Sequence, residues 1–175
     1  MYIARLFKEA GLPNGVYNVV NGDKEAVDTL LEDPRVQAVS FVGSTPIAEY
    51  IYATGTRNGK RVQALGGAKN IVAVMPDADL DAGMPSLITS FYGCSGQRCL
   101  SGSVLVPVGD IADKLIEKFT AAAKIMKVGS GLDESTGMGP VVSAAHKARG
   151  LGYNEKGIEE DADLVMKGCN FTVDE

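Results

Sequence analysis

The sequence is poor in histidine, cysteine and aromatic residues. It contains no tryptophan, one histidine and three cysteines among 175 residues. A single histidine, His146, excludes most metal sites built from imidazole and disfavours a serine–histidine–aspartate triad. We interpret it as a surface residue and expect no bound metal. Three irregularly spaced cysteines do not form a disulfide framework, so we expect a reducing compartment, either the cytoplasm or a mitochondrial matrix.

Charge and hydrophobicity exclude two further classes of protein. The net charge is −5, and acidic and basic residues are interleaved, so the sequence offers no basic surface for nucleic acid. The longest apolar runs are much shorter than the roughly 20 residues that cross a membrane. The first fifteen residues lack the continuous apolar stretch of a signal peptide. We therefore expect neither a nucleic-acid partner nor a membrane partner.

Short β-rich runs alternate with amphipathic segments along the chain. This alternation predicts an α/β fold in which most strands pair in parallel. Glycine is frequent, at 21 residues, but it is dispersed and therefore indicates tight turns and not disorder. A change in the spacing of elements near Gly66 suggests a boundary there. Strands are predicted at 16–20, 36–42, 62–65, 71–75, 103–108 and 162–166, and helices at 2–10, 24–32, 46–54, 80–92, 111–126 and 144–160.

The segment Phe41–Thr45 (FVGST) joins a predicted strand to a predicted helix. The unpaired N–H groups of a helix N-terminus suit a pyrophosphate, and a glycine lets that group approach the backbone. On local grounds alone, Ser44 or Thr45 is more typical of an ordinary helix cap. The sequence has no GxGxxG or GxxxxGK[ST] pattern, so it predicts neither an ordinary dinucleotide fingerprint nor a P-loop.

The segment Gly93–Ser101 (GCSGQRCLS) contains a candidate nucleophile. Cys99 follows a glycine-containing turn, and the adjacent cation of Arg98 would favour its thiolate form. Most free cysteines are buried and inert, and spacing alone leaves that alternative open. Cys94 and Cys99 could also suggest metal ligands, but no second pair of cysteines or histidines accompanies them.

Four segments in register resemble the aldehyde dehydrogenase superfamily: FVGST, LGGAKN (65–70), PDADLD (76–81) and GQRC (96–99). The stretch 138–168 is also similar to the region that follows the nucleophile in this family. The resemblance covers essentially all of the chain but a minority of the family's length. It implies the second half of a Rossmann-like NAD-binding domain, residues 1–65, and the first part of an α/β catalytic domain, residues 66–175.

The resemblance also implies roles for individual residues. Gly43 and Ser44 would contact the pyrophosphate of NAD, and Leu65 and Gly66 would lie near the nicotinamide. Cys99 would attack the carbonyl of a small aldehyde, and its own backbone N–H would help to hold the oxyanion that forms. Hydride transfer to NAD would then leave a thioester on Cys99.

Three positions indicate which branch of the family the sequence resembles. Hydrolytic members carry a glutamate where this chain has Ala64, and loss of that base favours release of the acyl group to coenzyme A. Arg98 before the nucleophile is similar to the methylmalonate-semialdehyde type, in which it would bind the substrate carboxylate. The implied products are propionyl-CoA or acetyl-CoA, with loss of carbon dioxide. Gln97 departs from the glutamate expected in that type.

The resemblance predicts an internal piece of a longer enzyme that is a homo-oligomer at full length. A cofactor sheet without its remaining strands would expose apolar faces and open edges. Two other readings therefore stand beside the acylating enzyme. One is a chain without activity of its own, either an inactive fragment or a remnant that pairs with another subunit, and the other is a hydrolytic NAD(P)-dependent aldehyde dehydrogenase.

Overall fold

The computed structural model describes residues 1–166 and residue 168. In this part of the chain, helices and strands alternate as expected, and two short 3-10 turns lie at Gly93–Gly96 and Gly109–Ile111. Two compact units divide at Gly67 and Ala68. The elements are α1 (Tyr2–Glu9), α2 (Lys24–Glu32), β1 (Ala38–Val42), α3 (Thr45–Arg57), β2 (Arg61–Leu65), β3 (Asn70–Val74), α4 (Leu80–Tyr92), β4 (Gly102–Pro107), α5 (Ala112–Lys124) and α6 (Ala144–Glu159).

The first unit is built on one β-α-β crossover. Strands β1 and β2 pair in parallel, with Ala38 opposite Arg61 and Val42 opposite Leu65, and α3 connects them. A glycine in α3 permits close packing of the helix on the sheet, since a Cβ at Gly55 would lie 2.6 Å from Cγ2 of Val62. The buried apolar residues of this unit are Leu31, Ala48 and Ile51.

A buried lysine donates hydrogen bonds to the segment that connects α2 to β1. Lys60 is only 6% exposed. Its Nζ donates to the carbonyl oxygens of Asp33 at 2.6 Å and Val36 at 2.7 Å. A buried ammonium group is costly without such acceptors, so these two bonds fix the path of the chain between α2 and β1.

The second unit places β3 and β4 side by side in parallel, with α4 in the connection between them. Its core consists of Val74 and Leu80 together with Ile111 and Leu115 from the start of the α5 region. Helix α4 begins at a capped position, because the side chain of Asp79 accepts hydrogen bonds from the two N–H groups of residues 81 and 82. An edge-to-face contact of Phe91 with Phe119, at 5.6 Å between ring centroids, joins α4 to α5.

The structure confirms the α/β class and the parallel pairing, and it corrects two predicted strands. Residues 16–20 and 162–166 are not in strands. A strand requires a neighbour to pair its backbone groups, and neither segment has one within the described residues. Their β-rich composition favours an extended backbone locally, but it does not supply a neighbouring strand. The two compact units divide near the predicted boundary, and their assignment to NAD-binding and catalytic domains stays a prediction.

Several large apolar side chains lie on open surface in both units. Val42, Leu65 and Ile71 are 63%, 50% and 66% exposed, respectively. Each sheet has two strands, so each strand has one edge without a partner in the described part of the chain. No helix among these residues is long and apolar enough to cross a membrane. The same residues contain no cluster of three or more candidate metal ligands.

Replacement of Lys60 by methionine tests the role of the buried ammonium group. Lys60→Met keeps most of the length of the side chain but removes the ammonium donor from the part-buried carbonyls of Asp33 and Val36, and only that of Asp33 keeps another donor, the N–H of Val36. We expect the free energy of unfolding to fall by about 1–3 kcal/mol. Chemical denaturation followed by circular dichroism measures this change. The exposed Lys8→Met variant is the control, and equal stability of the two variants would contradict the role of Lys60.

Candidate active site

The segment between α4 and β4 has an unusual backbone. Cys94, Ser95 and Gly96 all have positive φ angles, of 53°, 55° and 70°. Residues with a Cβ adopt this region at a cost of about 1–3 kcal/mol each, so surrounding contacts must hold them there. The N–H of Gln97 donates to the carbonyl of Cys94 at 3.0 Å and closes this left-handed turn.

Two hydrogen bonds fasten the turn to the segment before α6. The hydroxyl of Ser95 donates to the carbonyl of Gly139 at 2.7 Å. The N–H of Val142 donates to Oε1 of Gln97 at 3.1 Å. Gln97, the position that departs from the expected glutamate, is therefore a structural acceptor at this point. These bonds offset the backbone strain and hold the residues that lead to Cys99.

Cys99 lies in a second turn, directly before β4. The N–H of Ser101 donates to the carbonyl of Arg98 at 3.1 Å across this turn. Nδ2 of Asn70 donates to the carbonyls of Cys99 and Ser101, both at 2.8 Å. The thiol of Cys99 is free and its residue is exposed, so the alternative of a buried, inert cysteine does not describe this position.

Arg98 makes contacts that the sequence did not predict. Its Nη2 donates to the carbonyl of Thr89 and, at 3.4 Å, to that of Ser90, at the C-terminal end of α4. A cation at this end complements the helix dipole. A Cβ at Gly93 would lie 2.6 Å from Nη2, so this glycine makes room for the guanidinium. A guanidinium has five donors, and the other nitrogens stay available to a ligand.

An open groove lies beside the guanidinium. Its lining combines the hydroxyl-bearing face of α4 with Arg98 and Leu100. The cation and the three hydroxyl groups of this lining could donate hydrogen bonds to a small anionic group. The groove is lined by Pro85, Ser86, Thr89, Ser90, Arg98 and Leu100.

Aromatic rings and a buried serine lie beneath the cysteine loop. Tyr92 stacks on Phe119 with 5.7 Å between ring centroids, and burial raises the pKa of the Tyr92 hydroxyl. A Cβ at Gly102 would lie 2.5 Å from the ring of Phe91, so β4 must begin with glycine here. Ser101 is 4% exposed, and its hydroxyl has no hydrogen-bond partner among the described residues.

The predicted cofactor residues meet at the carboxyl ends of β1 and β2. The N–H of Gly43 donates to the carbonyl of Leu65 at 3.0 Å, which brings both turns together. Ser44 occupies the cap position of α3, but its side chain makes no capping hydrogen bond. The side chain of Ser44 therefore does not act as the ordinary helix cap that the local sequence suggested. Its hydroxyl is exposed and available to a ligand.

Thr45 is a residue whose role the sequence did not indicate. Its Oγ1 accepts a hydrogen bond from the N–H of Gly67 at 3.0 Å and so links the start of α3 to the turn after β2. A Cβ at Gly66 would lie 2.9 Å from the same oxygen. The residues present fit a pyrophosphate: a glycine, a free hydroxyl and the start of a helix lie on one exposed turn.

The two groups of predicted site residues belong to different units. Gly43, Ser44, Leu65 and Gly66 lie together in the first unit, and Arg98 and Cys99 are adjacent in the second. Sequence reasoning missed Asn70, whose side chain reaches the carbonyl of the candidate nucleophile. Asn70 lies inside the LGGAKN segment, but no local pattern shows that its amide donates a hydrogen bond to a residue 29 positions later in the sequence.

Together these features define a parallel α/β chain with an exposed cysteine loop and an open glycine–serine turn. The chain matches the aldehyde dehydrogenase family over residues 1–174. It is 56% identical to a malonate-semialdehyde dehydrogenase of Pseudomonas aeruginosa over 99% of its own length and 35% of that protein. The chain belongs to the aldehyde dehydrogenase family.

Solved structures give the same result for the fold. The chain is similar to the methylmalonate-semialdehyde dehydrogenase of Oceanimonas doudoroffii, with a TM-score of 0.92 and 55% identity over 97% of this chain and 35% of that one. It also matches a Sinorhizobium meliloti protein described as a methylmalonate-semialdehyde dehydrogenase and solved with NAD, with a TM-score of 0.94, 49% identity and coverage of 98% and 35%. The chain thus has part of an aldehyde dehydrogenase fold and spans about a third of the length of these relatives.

Two serines near the cysteine loop form a matched pair for a stability test. The Ser101 hydroxyl is buried without a partner, whereas Oγ of Ser90 accepts from the N–H of Gly102 at 3.2 Å. We expect Ser101→Ala to leave the unfolding free energy unchanged or to raise it, and Ser90→Ala to lower it by about 1 kcal/mol. Thermal and chemical denaturation measure both. A larger loss in Ser101→Ala than in Ser90→Ala would contradict this assignment of hydrogen bonds.

Proposed function

We propose that the full-length protein is an NAD-dependent aldehyde dehydrogenase that acylates coenzyme A with malonate or methylmalonate semialdehyde as substrate. The observation that carries the proposal is the free, exposed thiol of Cys99 on a loop held by hydrogen bonds at Arg98, Cys99 and Ser101. The similarity to malonate- and methylmalonate-semialdehyde dehydrogenases supports the substrate class. The chain supplies the nucleophile and part of the cofactor site.

Cys99 is the nucleophile in this proposal. Its thiolate attacks the aldehyde carbonyl carbon, the C=O bond opens, and the oxygen becomes an oxyanion near the backbone N–H of Cys99. Collapse of this adduct with loss of hydride leaves an acyl thioester on the sulfur. NAD, when bound, accepts the hydride. Gly43 and Ser44 would hold its pyrophosphate, and Leu65 and Gly66 would lie beside its nicotinamide.

The route of acyl release follows from Ala64. This residue lies in β2, next to the exposed turn after Leu65, and its methyl group cannot act as a base. Water has a pKa of about 15.7 and needs a base to attack a thioester near neutral pH. A thiol with a pKa of about 8.5 needs far less help. The proposed acceptor is therefore coenzyme A, with carbon dioxide lost from the acid end of the acyl group.

Arg98 provides the proposed contact to the substrate carboxylate. One of its terminal nitrogens is used by the carbonyls of Thr89 and Ser90, which fixes the plane of the guanidinium. The remaining N–H groups can donate to a carboxylate in a charge-assisted pair. Its neighbour Cys99 would then meet the aldehyde end of the same small molecule.

A second candidate is a chain without catalytic activity of its own that pairs with another polypeptide. The apolar side chains of Val42, Leu65 and Ile71 on open surface favour it. A covering subunit would remove this surface from water. The proposed enzyme includes the same requirement, since we propose a homo-oligomer at full length in the cytoplasm or a mitochondrial matrix.

Intact mass spectrometry tests the proposed nucleophile directly. We expect the full-length protein, incubated with malonate semialdehyde and NAD, to gain an acyl adduct and to release NADH. Cys99→Ser should give neither product, and Cys94→Ser is the matched control that should keep both. An adduct that persists in Cys99→Ser would reject Cys99 as nucleophile, and no adduct in the unmodified chain would favour the non-catalytic candidate.

Coenzyme A dependence distinguishes the acylating from the hydrolytic enzyme. We expect free acid to accumulate slowly without coenzyme A and thioester to form at least about tenfold faster with it, because a general base contributes about 10²–10⁴-fold and Ala64 is not one. Ala64→Glu should increase the share of free acid. Product analysis by liquid chromatography measures this share, and equal rates of acid release with and without coenzyme A would reject the acylating assignment.

Arg98→Gln tests the carboxylate contact separately from the structural one. Glutamine keeps an NH₂ donor, with a shorter reach toward the α4 carbonyls, but has no charge. We expect kcat/KM for malonate semialdehyde to fall by about 10–150-fold, as for loss of a hydrogen bond to a charged group, with the change mainly in KM. Propanal, which lacks the carboxylate, is the control substrate. An equal loss with propanal would show that Arg98 acts only through the loop.

A further inference from the structure

Asn70 joins the first residue of β3 to the cysteine loop. It is half-buried, and Nδ2 donates to two carbonyl oxygens, those of Cys99 and Ser101, each at 2.8 Å. The side-chain NH₂ has two hydrogens, so one nitrogen can serve both acceptors. The ladder is irregular at this place: Asn70 is opposite Gly102, whereas Ile71 is opposite Val104. The strand pair therefore begins with a side-chain contact in place of a regular backbone ladder.

The two acceptors belong to one turn of the backbone. The carbonyl of Arg98 accepts from the N–H of Ser101 at 3.1 Å, so the turn from Arg98 to Ser101 is closed by a backbone bond. Asn70 holds the Cys99 carbonyl in the middle of this turn and the Ser101 carbonyl at its end. Three successive fixed points leave the backbone of Cys99 little freedom to rotate.

Planarity of the peptide bond carries this constraint to the N–H of Cys99. In a trans peptide, C=O and N–H point in opposite directions. The carbonyl of Arg98 points into the turn, toward the N–H of Ser101, so the N–H of Cys99 points out of it. Within residues 1–166, that N–H has no hydrogen-bond acceptor. It is available to an atom outside the chain on the side of the turn away from Ser101.

We propose that Asn70 is a positioning residue of the Cys99 loop: its amide, by holding the carbonyls of Cys99 and Ser101, aims the Cys99 N–H at the oxygen of a carbonyl group attacked by the Cys99 sulfur. The proposal rests on the proposed function only in that Cys99 is the nucleophile. Asn70 does not touch the reacting atoms. Its effect reaches them through the orientation of one peptide group.

Two electrophiles that the same thiolate attacks distinguish positioning of the N–H from simple access to the sulfur. Acetyl transfer from p-nitrophenyl acetate forms an S–C bond, passes through a tetrahedral oxyanion and releases p-nitrophenolate. Alkylation by iodoacetamide forms an S–C bond and releases iodide, with no oxyanion. Both reactions need the thiolate, so its concentration cancels in the ratio of their rates. Peptide mass mapping measures each rate at Cys99 and excludes modification of Cys94.

Asn70→Ala should change this ratio at Cys99. Loss of a complete oxyanion donor costs about 10²–10³-fold, and misalignment of one N–H is expected to cost roughly tenfold. We expect the acetylation rate to fall by about that factor and the alkylation rate to change by less than about twofold. Asn18→Ala is the matched control, since Nδ2 of Asn18 also donates to a backbone carbonyl, that of Gly15 at 2.9 Å.

Asn70→Asp supplies a second test that does not depend on the stability of the alanine variant. At pH 8 a carboxylate would face two carbonyl oxygens without a proton to share, and the ratio should fall at least as far as in Asn70→Ala. Partial burial and the two facing carbonyl oxygens should raise the pKa of this carboxyl above its ordinary value of about 3.9, and the protonated acid regains one donor. The ratio should therefore rise toward the unmodified chain between pH 8 and pH 5, whereas that of Asn70→Ala stays flat. Circular dichroism at each pH verifies that the protein is folded.

The outcomes distinguish this proposal from the proposed function. Equal ratios in the unmodified chain, Asn70→Ala and Asn70→Asp would overturn the role of Asn70, and so would an equal fall of both rates. Neither reagent requires NAD, a semialdehyde or coenzyme A. A chain that fails to oxidise malonate semialdehyde but shows the expected ratios would reject the proposed substrate reaction and leave Asn70 as a positioning residue.

Discussion

Parallel strand pairing is the constraint on which both candidate sites depend. In the first unit, β1 and β2 end side by side, so the turns at Gly43 and Gly66 must meet at one edge. In the second unit, parallel pairing brings the amino ends of two strands together. The first residue of β3 therefore lies beside the residues that lead into β4. Asn70 and Cys99 are distant in sequence, yet this register brings the side chain of one to the backbone of the other. The predicted cofactor residues thus lie at carboxyl ends of strands and the cysteine loop lies at amino ends.

Hydrogen bonds to carbonyl groups, more than ion pairs, fix the irregular segments. Lys60 is buried against two carbonyls, and Arg98 and Asn70 each donate to two more. Each ion pair of the described residues, such as that of Lys127 with Asp133, has at least one exposed partner. Exposed pairs of this kind contribute little to stability. Asp133 illustrates the distinction: its hydrogen bonds from Lys127 and Ser135 lower its carboxyl pKa to about 2, but this contact orders only its own loop.

Local patterns in the sequence predicted most helices and the four strands found among the described residues, because amphipathic period and turn residues are local signals. Helices α2 and α4 lie where these patterns placed them. Residues 16–20 show the limit of the method: a β-rich run is a strand only if another strand adopts a matching register beside it. The long-range hydrogen bonds of the Asn70 and Thr45 side chains were not predicted, for a related reason. Their partners are 22 to 31 residues away, and nothing in the neighbouring sequence marks the donor or the acceptor. Segment resemblance indicated Cys99 and Ser44 as site residues, but it did not indicate what holds them.

The loop around Cys99 shows how a strained backbone can serve a reactive group. Left-handed angles at Cys94 and Ser95 are unfavourable for residues with a Cβ, and hydrogen bonds from Ser95 and to Gln97 hold them in place. After this turn, the carbonyl groups of Arg98 and Cys99 are both occupied by donors. The chain has therefore satisfied the backbone acceptors on both sides of the cysteine while its sulfur and its N–H remain unengaged by the described residues. A group held this way reorganises little when a carbonyl compound arrives, and that is the condition under which a single backbone N–H contributes most to stabilising an oxyanion.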